Sequence, residues 1–574
     1  MGQVKILVLD TTARTAKDAA NSLKCELGAI VKSLVFRSEN DFLICLVAGD
    51  KRCSLNKLKK ILNKKDNIDW TNFILTVLIS LSILVPMFIA PSATNEFLNS
   101  AYDLIASNIG GAYLIMGLLT LIFLLLLAFS NYGNIKLGRE DETPEYGTFG
   151  WSSMLFCCGI GASLVLYGST EWVDYYLRPP FDAVPGSKEA IAWASSYGMF
   201  HWGITGWAIY CFPAVAIGYN YHVKGAKSLK ASTGCEGIFN DGENNYIPRL
   251  IDLIYMVALV GVLGAGLGLT SPVVSATITE FFLIKQSLTV TISCLLLCLV
   301  IYSISTYFGL EKGIQKLSKF CAYLAFIVLI YILIFGPTSY IITSSIQSVM
   351  FMGENFLKMS MGPPPFGESE FSKAWTIFMW AWFFGLGPFV GIFIARISRG
   401  RTIRTMILGS LGFGTMGTSL FFMIMGNNAI YLEVNGLIPI IDIWTNESPA
   451  VMVSRSISGM MLGKWILPLV GIFCLVFMAT TFDSGAYTLA SSATKKMKAG
   501  ENPEVWNRIF WAFFIALLPF AILIGVTDSP DLQGIDKLKP FQRIIVLISP
   551  PLLIVYIIMA AGLVKSLIGK DETE

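Results

Sequence analysis

Charge and histidine are both scarce in this chain. Asp, Glu, Lys and Arg make up 14% of its 574 residues, where soluble domains carry about a quarter. The two histidines are His201 and His222. No HExxH, Walker loop or clustered Cys/His set occurs, so metal chemistry and ATP-driven transport have no support. The eleven cysteines fall mostly inside apolar runs and lack paired extracellular spacing, so no disulfide framework is expected. A net charge of +3 is too small to argue for nucleic acid as a partner. No signal peptide is visible, because the first 65 residues are polar and mixed. The chain is not expected to be an enzyme.

What the chain has is hydrophobic length. Fifty-four per cent of it is apolar, and many runs approach the ~20 residues a membrane helix needs. Twelve spans are expected, at roughly 71–91, 111–132, 149–172, 196–222, 249–273, 287–308, 319–340, 374–395, 405–426, 465–490, 507–526 and 543–566. The expected fold class is therefore an all-α polytopic membrane protein with a small α/β fragment at its N-terminus. Lysine and arginine concentrate in every second loop: Lys57 to Lys65 before span one, Lys136 and Arg139 after span two, Lys224 to Lys230 after span four, Lys312 to Lys319 after span six, Arg396 to Arg404 after span eight, and Lys495 to Lys498 after span ten. The loop from Pro91 to Gly110 has none. The positive-inside rule then puts both termini in the cytoplasm.

Residues 1–65 read as a separate object. Thr15 to Leu23 patterns as a short amphipathic helix, and Ile30 to Phe36 and Phe42 to Val47 as strands joined by a turn at Ser38 to Asp41. TAKDAANSL, GAIVKSLVF and LICLVAGDKR resemble the start of the prolyl-tRNA deacylase-like family of the YbaK type. The resemblance would set Lys32 at that family's functional lysine. The later Gly-rich loop of the family is missing, and about 65 residues is marginal for an independent core. The fragment is expected to be a truncated fusion without activity, and no catalysis is assigned to Lys32.

Trp375 to Arg404, WTIFMWAWFFGLGPFVGIFIARISRGRTIR, is the most informative stretch. Three tryptophans within eight residues offer faces for a cation. Gly385 to Pro388 is expected to break the span and free backbone groups at membrane depth. Span three carries a second expected break at Gly159 to Ser163. Small residues alone would mean tight helix packing. The two breaks lie five helices apart, and such pairing points to two five-helix inverted repeats, spans three to seven and eight to twelve, with a midplane site.

The motifs WTIFMWAWF, ARISRGRTIR, FHWGITGWAIY, GIGAS and YGSTEW resemble the betaine/choline/carnitine transporter family over residues 70–566. The resemblance implies a leucine-transporter-like fold of residues 70–570, a homotrimer, contact with membrane lipid, residence in the plasma (inner) membrane, and import of an onium compound. A methylated onium head has no N–H to donate, so aromatic faces are its natural partners. Trp202, Trp207 and Tyr210 match the family's aromatic positions, and their spacing lets them share a broad helix face. Trp382 is retained in span eight. Phe383 stands where a further tryptophan is usual, and Leu386 where an aromatic is common, so the box is expected to be smaller. Backbone N–H groups around Gly159, Gly161 and Ala162 would bind a substrate carboxylate.

The same resemblance assigns a Na⁺ site to the hydroxyls of Thr480 and Thr481 and the carbonyls of Phe477, Cys157 and Ile160. The structural alternative is that both threonines bond back to their own helix. Sodium-independent exchange, which would need a Lys or Arg in span five, is the competing reading. Leu259 and Leu263 replace the threonines of a second sodium site, although Phe389 remains, so one coupled Na⁺ is expected. Asp483 and Glu171 are acids within spans and functional by default. His201, beside the box, reads as structural rather than as a proton carrier. The short KSLIGKDETE tail leads to an expectation of constitutive uptake without osmotic control.

Overall fold

Thr15 opens the first element with a capping box: its hydroxyl accepts from the Asp18 N–H at 3.2 Å, and the Asp18 carboxylate accepts from the Thr15 N–H at 3.0 Å. Helix α1 follows (Ala16–Leu23) and ends at Lys24 in the left-handed region, φ 50°. Strands β1 (Val31–Ser38) and β2 (Asp41–Ala48) pair antiparallel from Val31 opposite Ala48 to Ser38 opposite Asp41. This is the hairpin read from sequence, and Lys32 lies on β1 opposite Val47. The structure is a computed structural model that describes residues 15–38, 41–48, 50, 67–156, 163–239, 246–308, 314–363, 369–495, 502–527 and 539–571. The chain divides into two units, Met1–Asn67 and Ile68–Glu574.

The second unit is helical. In order it contains α2 (Trp70–Ile89), α3 (Pro91–Phe129), α4 (Thr148–Phe156), α5 (Ser163–Leu177), α6 (Lys188–His201), α7 (Ile204–His222), α8 (Tyr246–Phe282), α9 (Leu288–Phe308), α10 (Ile314–Phe335) and α11 (Thr338–Met361). It continues with α12 (Phe378–Ile397), α13 (Ile403–Phe421), α14 (Asn427–Val434), α15 (Pro449–Ser458), α16 (Gly463–Ser492), α17 (Val505–Thr527), α18 (Lys539–Ile548) and α19 (Pro550–Asp571). Among the described residues, ten helices are long and apolar enough to cross a membrane. An eleventh span results if the pair α10 and α11, bent by 112°, counts as one. The bend falls at Gly336 and Pro337, where proline removes a donor the helix needs. The third expected span enters as α4 and α5, on either side of residues 157–162. The stretch Pro91 to Gly110, read as a loop, is instead the start of α3, with Pro91 in the first turn where its fixed φ suits a helix.

Loops that the charge pattern assigns to one side do lie together. Leu137 donates its N–H to the Arg401 carbonyl at 2.8 Å, and Gly400 donates to Leu137 at 2.7 Å, joining the loops after spans two and eight. The Arg401 guanidinium lies 4.2 Å from the Trp151 ring centroid and donates to the Tyr146 carbonyl at 2.7 Å. Lys230, after span four, donates to the Ser492 carbonyl at 3.2 Å at the end of α16. Asp69, before α2, donates its N–H to Ala493 at 2.7 Å.

Candidate functional site

Span four is interrupted where its aromatic residues begin. α6 ends at His201, Trp202 caps it, and α7 starts at Ile204. A carbonyl released from a helix inside an apolar core needs a new donor. Thr418 of α13 supplies it, its hydroxyl donating to the Trp202 carbonyl at 2.6 Å. Trp202 therefore does not share one continuous helix face with Trp207 and Tyr210, as the spacing led us to expect. Apolar periodicity carries through such a break unchanged, so it leaves no trace in the pattern.

The expected break in span eight is absent. α12 runs from Phe378 to Ile397 with Pro388 inside it. Pro388 removes one helix N–H, and the glycines beside it serve close packing instead. A Cβ at Gly385 would stand 2.7 Å from Val262 Cγ2, and one at Gly387 would overlap the Tyr556 hydroxyl. The irregular backbone of this span comes earlier, as a π-turn over Ser372–Ile377. A second π-turn covers Phe422–Gly426 after α13. Both flank the aromatic group described next, and π-turns in helices are frequent at functional sites.

Five rings from three spans meet in the core. Trp202 lies 6.0 Å from Trp382 and 5.9 Å from Phe383, both near perpendicular. Phe383 lies 4.6 Å from Tyr210. Tyr167 of α5 closes the group at 5.8 Å from Trp202 and 5.7 Å from Trp382. All five are buried. Among the described residues, Trp207 meets the rings of this group through Tyr210, at 5.9 Å, and its indole lies against Gly414. The three tryptophans of span eight fan apart. Trp382 faces Trp202, Trp375 packs on Tyr175 at 5.0 Å, and Trp380 lies against Gly117 and Phe200. Leu386 is buried and brings no ring. Sequence reasoning missed Tyr167; the signal was its place four residues before Glu171 in the YGSTEW motif, one helical turn away. Gly159, Gly161 and Ala162 lie outside the described residues.

A buried polar network stands directly behind Trp202. The indole Nε1–H donates to Glu171 Oε2 at 2.9 Å. Tyr175 donates its hydroxyl to Glu171 Oε1, and His201 Nδ1 lies 2.8 Å from the Tyr175 oxygen and 3.1 Å from the same carboxylate oxygen. His201 Nε2 meets the Thr376 hydroxyl at 3.0 Å. One turn on, Asp174 accepts from the Trp375 indole and from Arg178 Nε at 2.9 Å.

On α16 the hydroxyls of Thr480 and Thr481 both donate to the Phe477 carbonyl, at 2.8 and 3.1 Å. Three neutral oxygens thus gather at one point, a donor set that suits a hard cation. Phe156, the last residue of α4, packs edge-on against the Phe477 ring at 6.2 Å. Cys157 and Ile160 themselves lie outside the described residues. Leu259 and Leu263 are buried, and Leu263 fills the space above Gly485. Asp483 accepts from Ser305 and Thr306 of α9, tying span ten to span six. Among the described residues no group of three or more His, Cys, Asp or Glu is arranged to hold a metal.

Comparison with known proteins agrees with the residue pattern. The aminoacyl-tRNA editing domain pattern matches residues 10–71. The chain is 32% identical over 496 residues to the glycine betaine transporter OpuD of Bacillus subtilis, covering 85% of this chain and 92% of that protein. It is 30% identical over 505 residues to the osmo-independent choline transporter BetT1 of Acinetobacter baylyi, covering 86% and 92%. It is 30% identical over 455 residues to a carnitine transporter of Acinetobacter baumannii, covering 79% and 81%. The pattern of the BCCT, betaine/carnitine/choline family transporter, matches residues 71–572, and the chain belongs to that family of multi-pass membrane proteins.

Proposed function

We propose that this chain is a secondary active transporter that imports a quaternary ammonium or related onium compound by alternating access. The fold we assign to it has twelve spans in two five-helix inverted repeats. We assign it to the inner membrane as a homotrimer with cytoplasmic termini. The observation that carries the substrate class is the meeting of Tyr167, Trp202, Tyr210, Trp382 and Phe383 from three spans. A cluster of aromatic faces binds a methylated cation by charge–quadrupole attraction, worth about 0.5–2 kcal/mol per face. Phe383 and Leu386 make this box less electron-rich than one lined by tryptophans throughout. The names of the relatives, transporters of glycine betaine, choline and carnitine, support the same class.

Sodium is the proposed coupling ion. The hydroxyls of Thr480 and Thr481 and the carbonyls of Phe477, Cys157 and Ile160 are the groups that would hold it, and its gradient would supply the energy for uphill import. One observation favours the second reading, sodium-independent exchange: both threonines already satisfy themselves on the Phe477 carbonyl. Uptake of labelled glycine betaine, choline, carnitine and a sulfonium analogue into liposomes, with an inward Na⁺ or K⁺ gradient, tests both. Accumulation of an onium compound that needs Na⁺ is expected. Undiminished net uptake in K⁺ sinks sodium coupling, and no uptake of any onium compound sinks the substrate assignment. The N-terminal unit is given no part in transport, so removal of residues 1–65 is expected to leave uptake intact.

A further inference from the structure

We infer that Glu171 and His201 form a buried proton-exchange pair that reads the charge of the molecule in the aromatic box. The inference rests on the onium reading above. Among the described residues, Glu171 meets no Lys or Arg in a salt bridge; its ionisable partner is His201, at 3.1 Å, with both side chains fully buried. The pair therefore carries one net negative charge or none, according to a single proton. In sequence His201 reads as structural; thirty residues separate it from the acid it meets.

The hydrogen bonds accommodate both states. Tyr175 spends its hydroxyl proton on Glu171 Oε1, so His201 Nδ1 must donate toward these oxygens. The Thr376 hydroxyl at Nε2 donates to a neutral imidazole and accepts from a charged one. Deprotonation leaves the electron pair on Nε2 and the proton goes to solvent. The other titratable or charged groups around the pair are Tyr167, Tyr175, Asp174 and Arg178 on α5 and Tyr197 on α6. Lys373 of the π-turn is held by Glu370 at 3.5 Å.

The link to substrate is Trp202. Its N–H is bound by Glu171 while its ring forms a wall of the box. A carboxylate on an indole N–H pushes electron density into the ring, which strengthens its attraction for a cation. A net negative pair behind that wall adds direct attraction. Binding of a permanently cationic head and release of the proton are then linked, and each favours the other by the same factor. Glu171 and His201 act through Trp202 and are positioning residues.

The test uses the full-length protein in detergent, with choline and glycine betaine as probes, followed by tryptophan fluorescence from about pH 5 to 8, where histidine ordinarily changes charge. Choline affinity is expected to rise with pH, by up to about tenfold per unit for one linked proton. Adding choline to weakly buffered protein is expected to acidify it. H201Q removes the group that carries the proton and is expected to bind with a flat pH profile and to release no proton; E171Q keeps an acceptor for the Trp202 N–H but removes the negative charge, and is expected to bind choline more weakly at every pH. A flat wild-type profile without acidification overturns the pair, as does an H201Q protein that keeps the wild-type slope. Should H201Q fail to fold, proton release by the wild type decides the matter alone. Failure of both onium probes to bind at every pH overturns the substrate reading and the pair with it, whereas pH-independent binding overturns the pair only.

Discussion

Replacing Gly206 with alanine adds one methyl group where span four packs against Phe383 of span eight. The new carbon would lie 2.7 and 2.8 Å from Cε1 and Cζ of Phe383, and 2.9 Å from the carbonyl oxygen of His201. Carbon contacts settle near 3.5–4.0 Å, so something must move. The carbonyl belongs to the residue before the Trp202 interruption and cannot recede without carrying Trp202 with it. The phenyl ring is held at 4.6 Å by Tyr210 and 5.9 Å by Trp202. Overpacking of this kind costs about 1–3 kcal/mol. At 1.4 kcal/mol per factor of ten, a cost borne by the box alone weakens substrate binding about 5- to 150-fold. A cost borne by the whole fold appears instead as a lower Tm, with affinity preserved. Half-saturation for uptake, measured beside thermal unfolding with and without substrate, separates the two. Because the methyl meets a box ring and the carbonyl next to Trp202, we expect most of the effect in substrate affinity. A G206A protein with wild-type affinity and wild-type Tm would refute the packing of Phe383 on span four.

Three further outcomes are expected. Trp382→Ala removes the face opposite Trp202 and should raise the half-saturating substrate concentration about 2- to 30-fold, while W382F should recover most of it; equal effects of both changes in competition binding would argue against a cation–π role. Thr481→Ala removes one hydroxyl and leaves the Thr480 bond to the Phe477 carbonyl in place. Its Na⁺ half-saturation should rise about tenfold with little change in Tm, and an unchanged Na⁺ dependence of uptake would remove Thr481 from the ion site. In the loop after span two, the Arg139 N–H, and then the Arg399 guanidinium, hold the Glu142 carboxyl below its usual range. Its folded pKa is depressed, so its stabilising effect is present above the unfolded value and is lost as pH falls through the folded one. E142Q should therefore melt earlier than wild type at neutral pH, with the gap closing in acid; a gap that is the same at both pH values would contradict this.

Much of the architecture is legible in the chain because it depends on local chemistry. The hairpin of the first unit and the apolar helices follow from alternation, length and capping, each a property of neighbouring residues. Lysine and arginine counts put the loops after spans two and eight on one side, and Leu137 and Arg401 join those two loops. The motifs also named four of the five rings. What was misread concerns backbone irregularity. Gly385 and Gly387 looked like a break, yet Val262 and Tyr556 fill the room they leave and the helix continues. The interruption that does occur, at Trp202, looked like uninterrupted helix. Only the fold brings up Thr418 to accept the cost of that released carbonyl.

The sequence by itself determined which residues avoid water and which aromatic types are present at the right depth, because transfer from water depends on the side chain alone. Tertiary structure decided which of them meet. Trp380 and Trp382 are two residues apart and face different neighbours, whereas Trp202 donates its indole N–H to Glu171 on a different span. A polar group buried at membrane depth must find its partner wherever packing provides one, and that partner is set by how the helices cross, which no local pattern records.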